Sequence, residues 1–173
     1  MRNLTLLRHA KSSWEDESID DFHRPLNDRG RRSAQVLGQY LAGKRAHFDL
    51  ILASPAERVV QTLDGLAKGG WGSGPVRFDR AIYHAGYRDL LAMVRSIPDN
   101  VERLMVVGHN PTIGVLAVEL SRDDDKGLRA GAANNYPTGT LAEMTLDIES
   151  WGDAAPSCGR LTAFVTPRSL LEA

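Results

Sequence analysis

Cysteine is almost absent: Cys158 is the only one in 173 residues. That excludes an internal disulfide and any cysteine-based zinc site. Surplus charge is missing as well, since 21 Lys and Arg stand against 22 Asp and Glu, leaving a formal charge of -1. Clustered cations are what neutralise nucleic-acid phosphates, so this balance argues against a nucleic-acid partner and equally against an anionic membrane. Long hydrophobic runs are lacking too. The longest are strand-length, far short of the roughly 20 residues needed to cross a bilayer. Arg8 and His9 also arrive before a signal-peptide core develops, so the expected location is cytoplasmic. What remains is ordinary globular composition, 42% hydrophobic and 25% charged. A chain of this length buries about 70% of its unfolded surface and needs no metal or disulfide staple. One domain over residues 1–173 is expected.

Apolar and polar segments alternate along the chain. Leu4–Leu7 reads as a buried strand, followed by a long acidic stretch, Lys11–Asp28, that contains Trp14 and Pro25. Connections of that length are usually functional or mobile. Ala34, Leu37 and Leu41 fit one face of a helix over Arg29–Lys44, and Phe48–Ala53 is a second buried strand. Ser54-Pro55-Ala56-Glu57 has the spacing of a capping box with proline in the first turn. The helix it opens runs to about Lys68 and stops in Gly69-Gly70. A short strand at Val76–Phe78 and a helix over Tyr87–Ser96 come next. The third clear strand, Leu104–Val107, leads into Gly108-His109-Asn110-Pro111, where Asn110 suits a cap and Pro111 a first helical residue. Ser121–Thr138 reads as irregular. Thr140–Asp147 and Arg160–Thr166 alternate as strands. The pattern predicts an α/β sandwich with a mainly parallel sheet and antiparallel pairing at one side.

Chemistry concentrates where the strands end. The first strand ends in Arg8-His9, the second in Ser54 with Arg58 just beyond, the third in His109. Ligands of open α/β sheets bind beyond the carboxyl ends of strands. Parallel neighbours would therefore bring two arginines, two histidines and two helix N-termini together, a phosphate pocket. A histidine between arginines is kept neutral by like-charge repulsion, as a nucleophile must be. The arginines can carry the charge of a transferring phosphoryl group. The chain has no P-loop, no convincing carboxylate cluster for magnesium and no Cys-x5-Arg loop. Phosphoryl transfer through phosphohistidine, with no metal or cofactor, is the simplest reading.

Leu7-Arg8-His9-Ala10-Lys11 resembles the Arg-His-Gly/Ala signature of the histidine phosphatase (phosphoglycerate mutase-like) superfamily. Ser54-Pro55-Ala56-Glu57-Arg58-Val59-Val60-Gln61-Thr62 is similar to its Ser-Pro-x-x-Arg-x-x-Gln-Thr segment, and Gly108-His109-Asn110-Pro111 to its second-histidine motif. The His-Ala-Lys-Ser-Ser-Trp start, Arg24-Pro25-Leu26 and Tyr136-Pro137-Thr138-Gly139 look most like the SixA-type phosphohistidine phosphatases. The resemblance implies a three-layer sandwich with helices on both faces of the sheet. It implies that His9 is the nucleophile and that Arg8, Arg58 and His109 hold the phosphoryl group. Ser12, Asn110 and the backbone of the Lys11 loop would add contacts.

One position departs from the family pattern. Many members carry an acidic proton donor where this chain reads Asp79-Arg80-Ala81-Ile82-Tyr83-His84-Ala85. A phosphomonoester needs its alkoxide protonated as it leaves, whereas a leaving imidazole can already carry a proton on its other nitrogen. The departure favours a phosphohistidine, and 173 residues leave little for a lid insertion, so an uncovered mouth could admit a side chain presented by a partner protein. His84, at the expected pocket edge, or Glu15 or Asp16 could still supply a proton. The alternatives are a phosphatase of small phosphomonoesters on the same site, and a non-catalytic binder of phosphorylated partners. Elsewhere the bland readings prevail. Ser54 and Glu57 are expected as a capping box, His23 and His47 as surface residues, Lys11 and Arg24 as solvated charges. Asp123-Asp124-Asp125 reads as a solvated loop, not a metal site, and Cys158 as inert.

Overall fold

The computed structural model describes residues 1–72 and 74–172. β1 (Arg2–Arg8), β2 (Leu50–Ala53), β3 (Val76–Phe78), β4 (Arg103–Gly108), β5 (Leu141–Leu146) and β6 (Gly159–Val165) form one sheet. Their order is β3-β2-β4-β1-β5-β6. β1, β2, β3 and β4 pair in parallel, while β5 pairs antiparallel with both β1 and β6. The mixed sheet with an antiparallel side matches the expectation from sequence.

The central strands are apolar on both faces because both faces are covered. Leu4, Leu6, Leu104 and Val106 pack under α4 (Tyr87–Arg95), α5 (Thr112–Leu120) and α6 (Leu128–Asn134). Leu7, Met105 and Val107 point the other way, beneath α1 (Asp28–Gly43) and α2 (Glu57–Lys68). α1 and α2 cross at backbone distance: a Cβ on Gly38 would lie 2.2 Å from the Leu66 carbonyl oxygen. α1 also presses on the loop after β1, where a Cβ on Gly30 would lie 2.1 Å from the Lys11 carbonyl oxygen. Asn27 caps this helix by accepting from the Gly30 N–H.

Three local expectations need correction. α2 begins at Glu57, with Ala56 as its N-cap and no side-chain cap. The Ser54 hydroxyl accepts from Ala56 N–H and faces His109, and the Glu57 carboxylate accepts from Gln61 instead. No capping box forms there. α5 begins at Thr112, after a cis Asn110–Pro111 peptide. The Ser121–Thr138 segment contains α6, whose first turn is tied by the Asp124 carboxylate accepting from Lys126, Leu128 and Arg129 N–H. The Lys11–Asp28 stretch is held by a bridge between Ser12 and Leu26 and a 3-10 turn at Asp21–His23. Two short helices escaped the sequence reading, α3 (Ala81–His84) and α7 (Pro167–Leu171).

Candidate active site

Register places the reacting ends. Arg8 pairs with Gly108 and Ala53 with Val107, so β1, β2 and β4 finish level. His9, Ser54 and His109 each follow a strand end and stand on one rim. His9 N–H donates to the Gly108 carbonyl and Ser54 N–H to that of Val107, which fixes both turns to β4.

A cavity of about 330 Å³ opens on this rim. Its wall carries Arg8, Arg24, Arg58, Lys11, His9 and His109, with Ser12, Trp14, Asn110 and Thr138 completing it. Among the described residues no carboxylate lines it. His9 is only 7% exposed. Its Nδ1 lies 2.7 Å from the Ala10 carbonyl oxygen, an acceptor, so Nδ1 bears the proton and Nε2 keeps its lone pair. Burial first, then Arg58, His109 and Arg8, push the His9 pKa down to about 3, against the Ala10 bond that raises it. Neutrality was expected from the arginines, and burial proves the larger cause.

His109 stands beside it, the two ring centres 5.3 Å apart. Arg58 Nη2 approaches His109 Nδ1 at 3.4 Å, and guanidinium can only donate. His109 Nε2 then donates to Ser54 Oγ at 2.8 Å. Burial, followed by Arg58, brings the His109 pKa down to about 4.

The arginines are held from behind. Arg58 is buried; its Nη1 donates to the Asp21 carbonyl at 2.7 Å and its Nη2 to Asp21 Oδ2 at 3.1 Å. Arg24 donates to Asp21 Oδ1 and to Ser12 Oγ, and its guanidinium lies 3.6 Å over the Trp14 ring. Tyr83 donates its hydroxyl to Asp21 Oδ2. That bond, then Arg24 and Arg58, holds the Asp21 pKa at about 2. Arg8 donates to the Tyr136 carbonyl, which also accepts from Asn110 Nδ2, while the buried Tyr136 hydroxyl anchors on the Leu6 carbonyl. The Nε–H groups of Arg8 and Arg58 are buried without an acceptor. Unmet buried donors are costly. The cavity wall itself, with three arginines, a lysine and two histidines, is suited to an oxyanion.

Arg8, His9, Arg58, His109, Ser12 and Asn110 are thus brought together. His84 is not in the wall: its exposed ring packs on Tyr83, which separates it from His109. Glu15 and Asp16 are exposed and also outside the wall, Asp16 being bonded to Ser18. Arg24, read from sequence as a solvated charge, is 7% exposed and part of the wall. Asp21 and Ser54 were missed as site residues. The only sequence signal for Asp21 was its place in an unusually long polar connection.

The family model of the histidine phosphatase superfamily (branch 1) matches residues 4–87. An uncharacterised protein of Mycobacterium tuberculosis is 34% identical over 164 residues, covering 94% of this chain and 100% of its own. A Nakamurella multipartitia structure, designated phosphohistidine phosphatase SixA by assignment, superposes with a TM-score of 0.82 at 30% identity over 96% of each chain. A second of the same designation, from Agrobacterium tumefaciens, gives 0.78 at 28% identity, covering 96% of this chain and 98% of that one. Fold, strand-end motifs and a full-length structural relative agree: this chain belongs to the histidine phosphatase superfamily.

Proposed function

We propose that the protein removes a phosphoryl group from phosphohistidine on a partner protein. His9 Nε2 attacks phosphorus, the P–N bond to the partner's imidazole breaks, and that ring leaves neutral with a proton on its other nitrogen. Water then attacks phospho-His9, releasing inorganic phosphate and restoring the imidazole. Arg8, Arg58 and His109 stabilise the equatorial oxygens through both steps, and the Ala10 carbonyl holds the Nδ1 proton as positive charge develops on His9.

One observation carries the choice of substrate. Among the described residues no carboxylate lines the cavity, and Asp21, behind Arg58, is held ionised with a pKa of about 2. An acid that weak in proton affinity does not protonate a leaving alkoxide at neutral pH. The relatives designated SixA support the same direction.

The test is phosphate release, with chelator present, from a protein phosphorylated on histidine by phosphoramidate and from phosphoserine. Wild type and His9→Ala are compared. Release from the P–N substrate that disappears in the variant is expected. Faster release from phosphoserine would replace this reading with that of a phosphomonoesterase. Binding without turnover by wild type would make the protein a phospholigand binder.

A further inference from the structure

A second cavity, of about 420 Å³, adjoins the first: Lys11 and Thr138 line both. It lies between the first turn of α1, the segment before β5, and α7. Among the described residues its cations are Lys11, Arg29 and Arg168, and no carboxylate lines it. Among the described residues Arg29 and Lys11 have no acidic partner within salt-bridge distance, and Arg168 meets Glu172 through Nε alone, at 3.0 Å. Ser33, Asn135 and Thr166 add polar side chains. In a chain of formal charge -1, a cationic groove running out of a cationic pocket is a local concentration of positive potential, and such grooves recruit anions.

We infer that this groove is a docking subsite for acidic side chains flanking the phosphorylated residue of the partner protein. The inference rests on the proposed function for its substrate, and gives that substrate a composition: Asp or Glu near the phosphohistidine in the partner. The phosphoryl group enters the inner cavity while the neighbouring carboxylates meet Arg29 and Arg168 outside it. Those two arginines touch no reacting atom, so the groove sets affinity and leaves the chemical step alone.

Two peptides phosphorylated on histidine by phosphoramidate, alike except for flanking glutamates in one and glutamines in the other, test this. Wild type should show a KM about fivefold lower for the glutamate peptide at equal kcat, as expected for two exposed ion pairs. Added salt should erase the preference. Arg29→Gln with Arg168→Gln should abolish it without changing kcat on the glutamine peptide, and Arg29→Glu should reverse it. Equal KM values in wild type, or a preference that survives the double substitution, overturn the inference. The same contrast in phosphoserine peptides, read as binding to His9→Ala by fluorescence anisotropy, separates the two proposals. Tighter binding of the glutamate peptide that vanishes in the arginine variants upholds the groove even where phosphohistidine is not hydrolysed. Indifference to the flanks, or no binding of either peptide, overturns it.

Discussion

His9→Ala should make the protein less sensitive to acid, at the expense of the imidazole proposed as nucleophile. An ordinary histidine titrates at 6.5, but buried His9 stays neutral down to about 3. Above 6.5 both the folded and unfolded chains hold this imidazole neutral, so it makes no pH-dependent contribution. Below 6.5 the unfolded chain binds a proton that the folded chain refuses, and stability falls by about 1.4 kcal/mol per pH unit. By about pH 5 the loss reaches about 2 kcal/mol, a sizeable share of a typical domain's 5–15 kcal/mol. That figure depends on the unfolded value and the chosen pH, and hardly on how far below pH 5 the folded value lies. The variant escapes this loss. Truncating the ring carries its own cost, but that cost is the same at about pH 8 and cancels between the two conditions. His109, with its own pKa of about 4, adds a similar penalty common to both proteins. Urea unfolding of wild type and variant at about pH 5 and pH 8 measures the difference directly. The variant should gain about 2 kcal/mol relative to wild type on going to the lower pH. A stability difference that does not change with pH would mean that His9 is already protonated in the folded protein, and would refute the neutral-nucleophile argument.

Arg24→Met removes a buried cation that lines the cavity and leaves Asp21 with one guanidinium fewer. Hydrogen bonds to charged groups contribute about 1.5–3 kcal/mol, so inhibition by inorganic phosphate should weaken by about tenfold or more; an unchanged inhibition constant would remove Arg24 from the anion site. Gly38→Ala places a Cβ 2.2 Å from the Leu66 carbonyl oxygen, backbone against backbone. Overpacking of this kind costs about 1–3 kcal/mol, to be read as a lower urea midpoint with kcat unchanged for the folded fraction.

The sequence carried the fold where burial is two-sided and local. Leu4–Leu7, Phe48–Ala53 and Leu104–Val107 are continuous apolar runs because helices cover both sheet faces, and the structure places β1, β2 and β4 within or across them. Helix starts were read less well. The Ser54–Glu57 spacing satisfies the capping-box rule, yet the Ser54 hydroxyl is drawn to His109, a residue 55 positions away. α6 and α7 are too short for a periodic pattern to show. α3 is four residues long and depends on Ile82 being buried.

The same division runs through the site. The residues beside strand ends, Arg8, His9, Arg58 and His109, were legible because a strand's carboxyl end is a position that sequence can locate. Asp21 was not, because what distinguishes it is contact with Arg58 and Tyr83 across 37 and 62 positions of chain. Arg24 looked like any charge in an acidic loop until the fold laid it over Trp14 and against Ser12. By itself, the sequence determined that Arg8, His9, Arg58 and His109 stand beside strand ends, since residue type and local periodicity are properties of the chain. The tertiary structure alone decided that His9 is dry enough to stay neutral, that the Asp21 carboxylate is locked in ion pairs behind the arginines, and that a second cationic groove continues the first. Burial, dielectric and charge proximity act through space, and the chain order of these residues does not encode their distances.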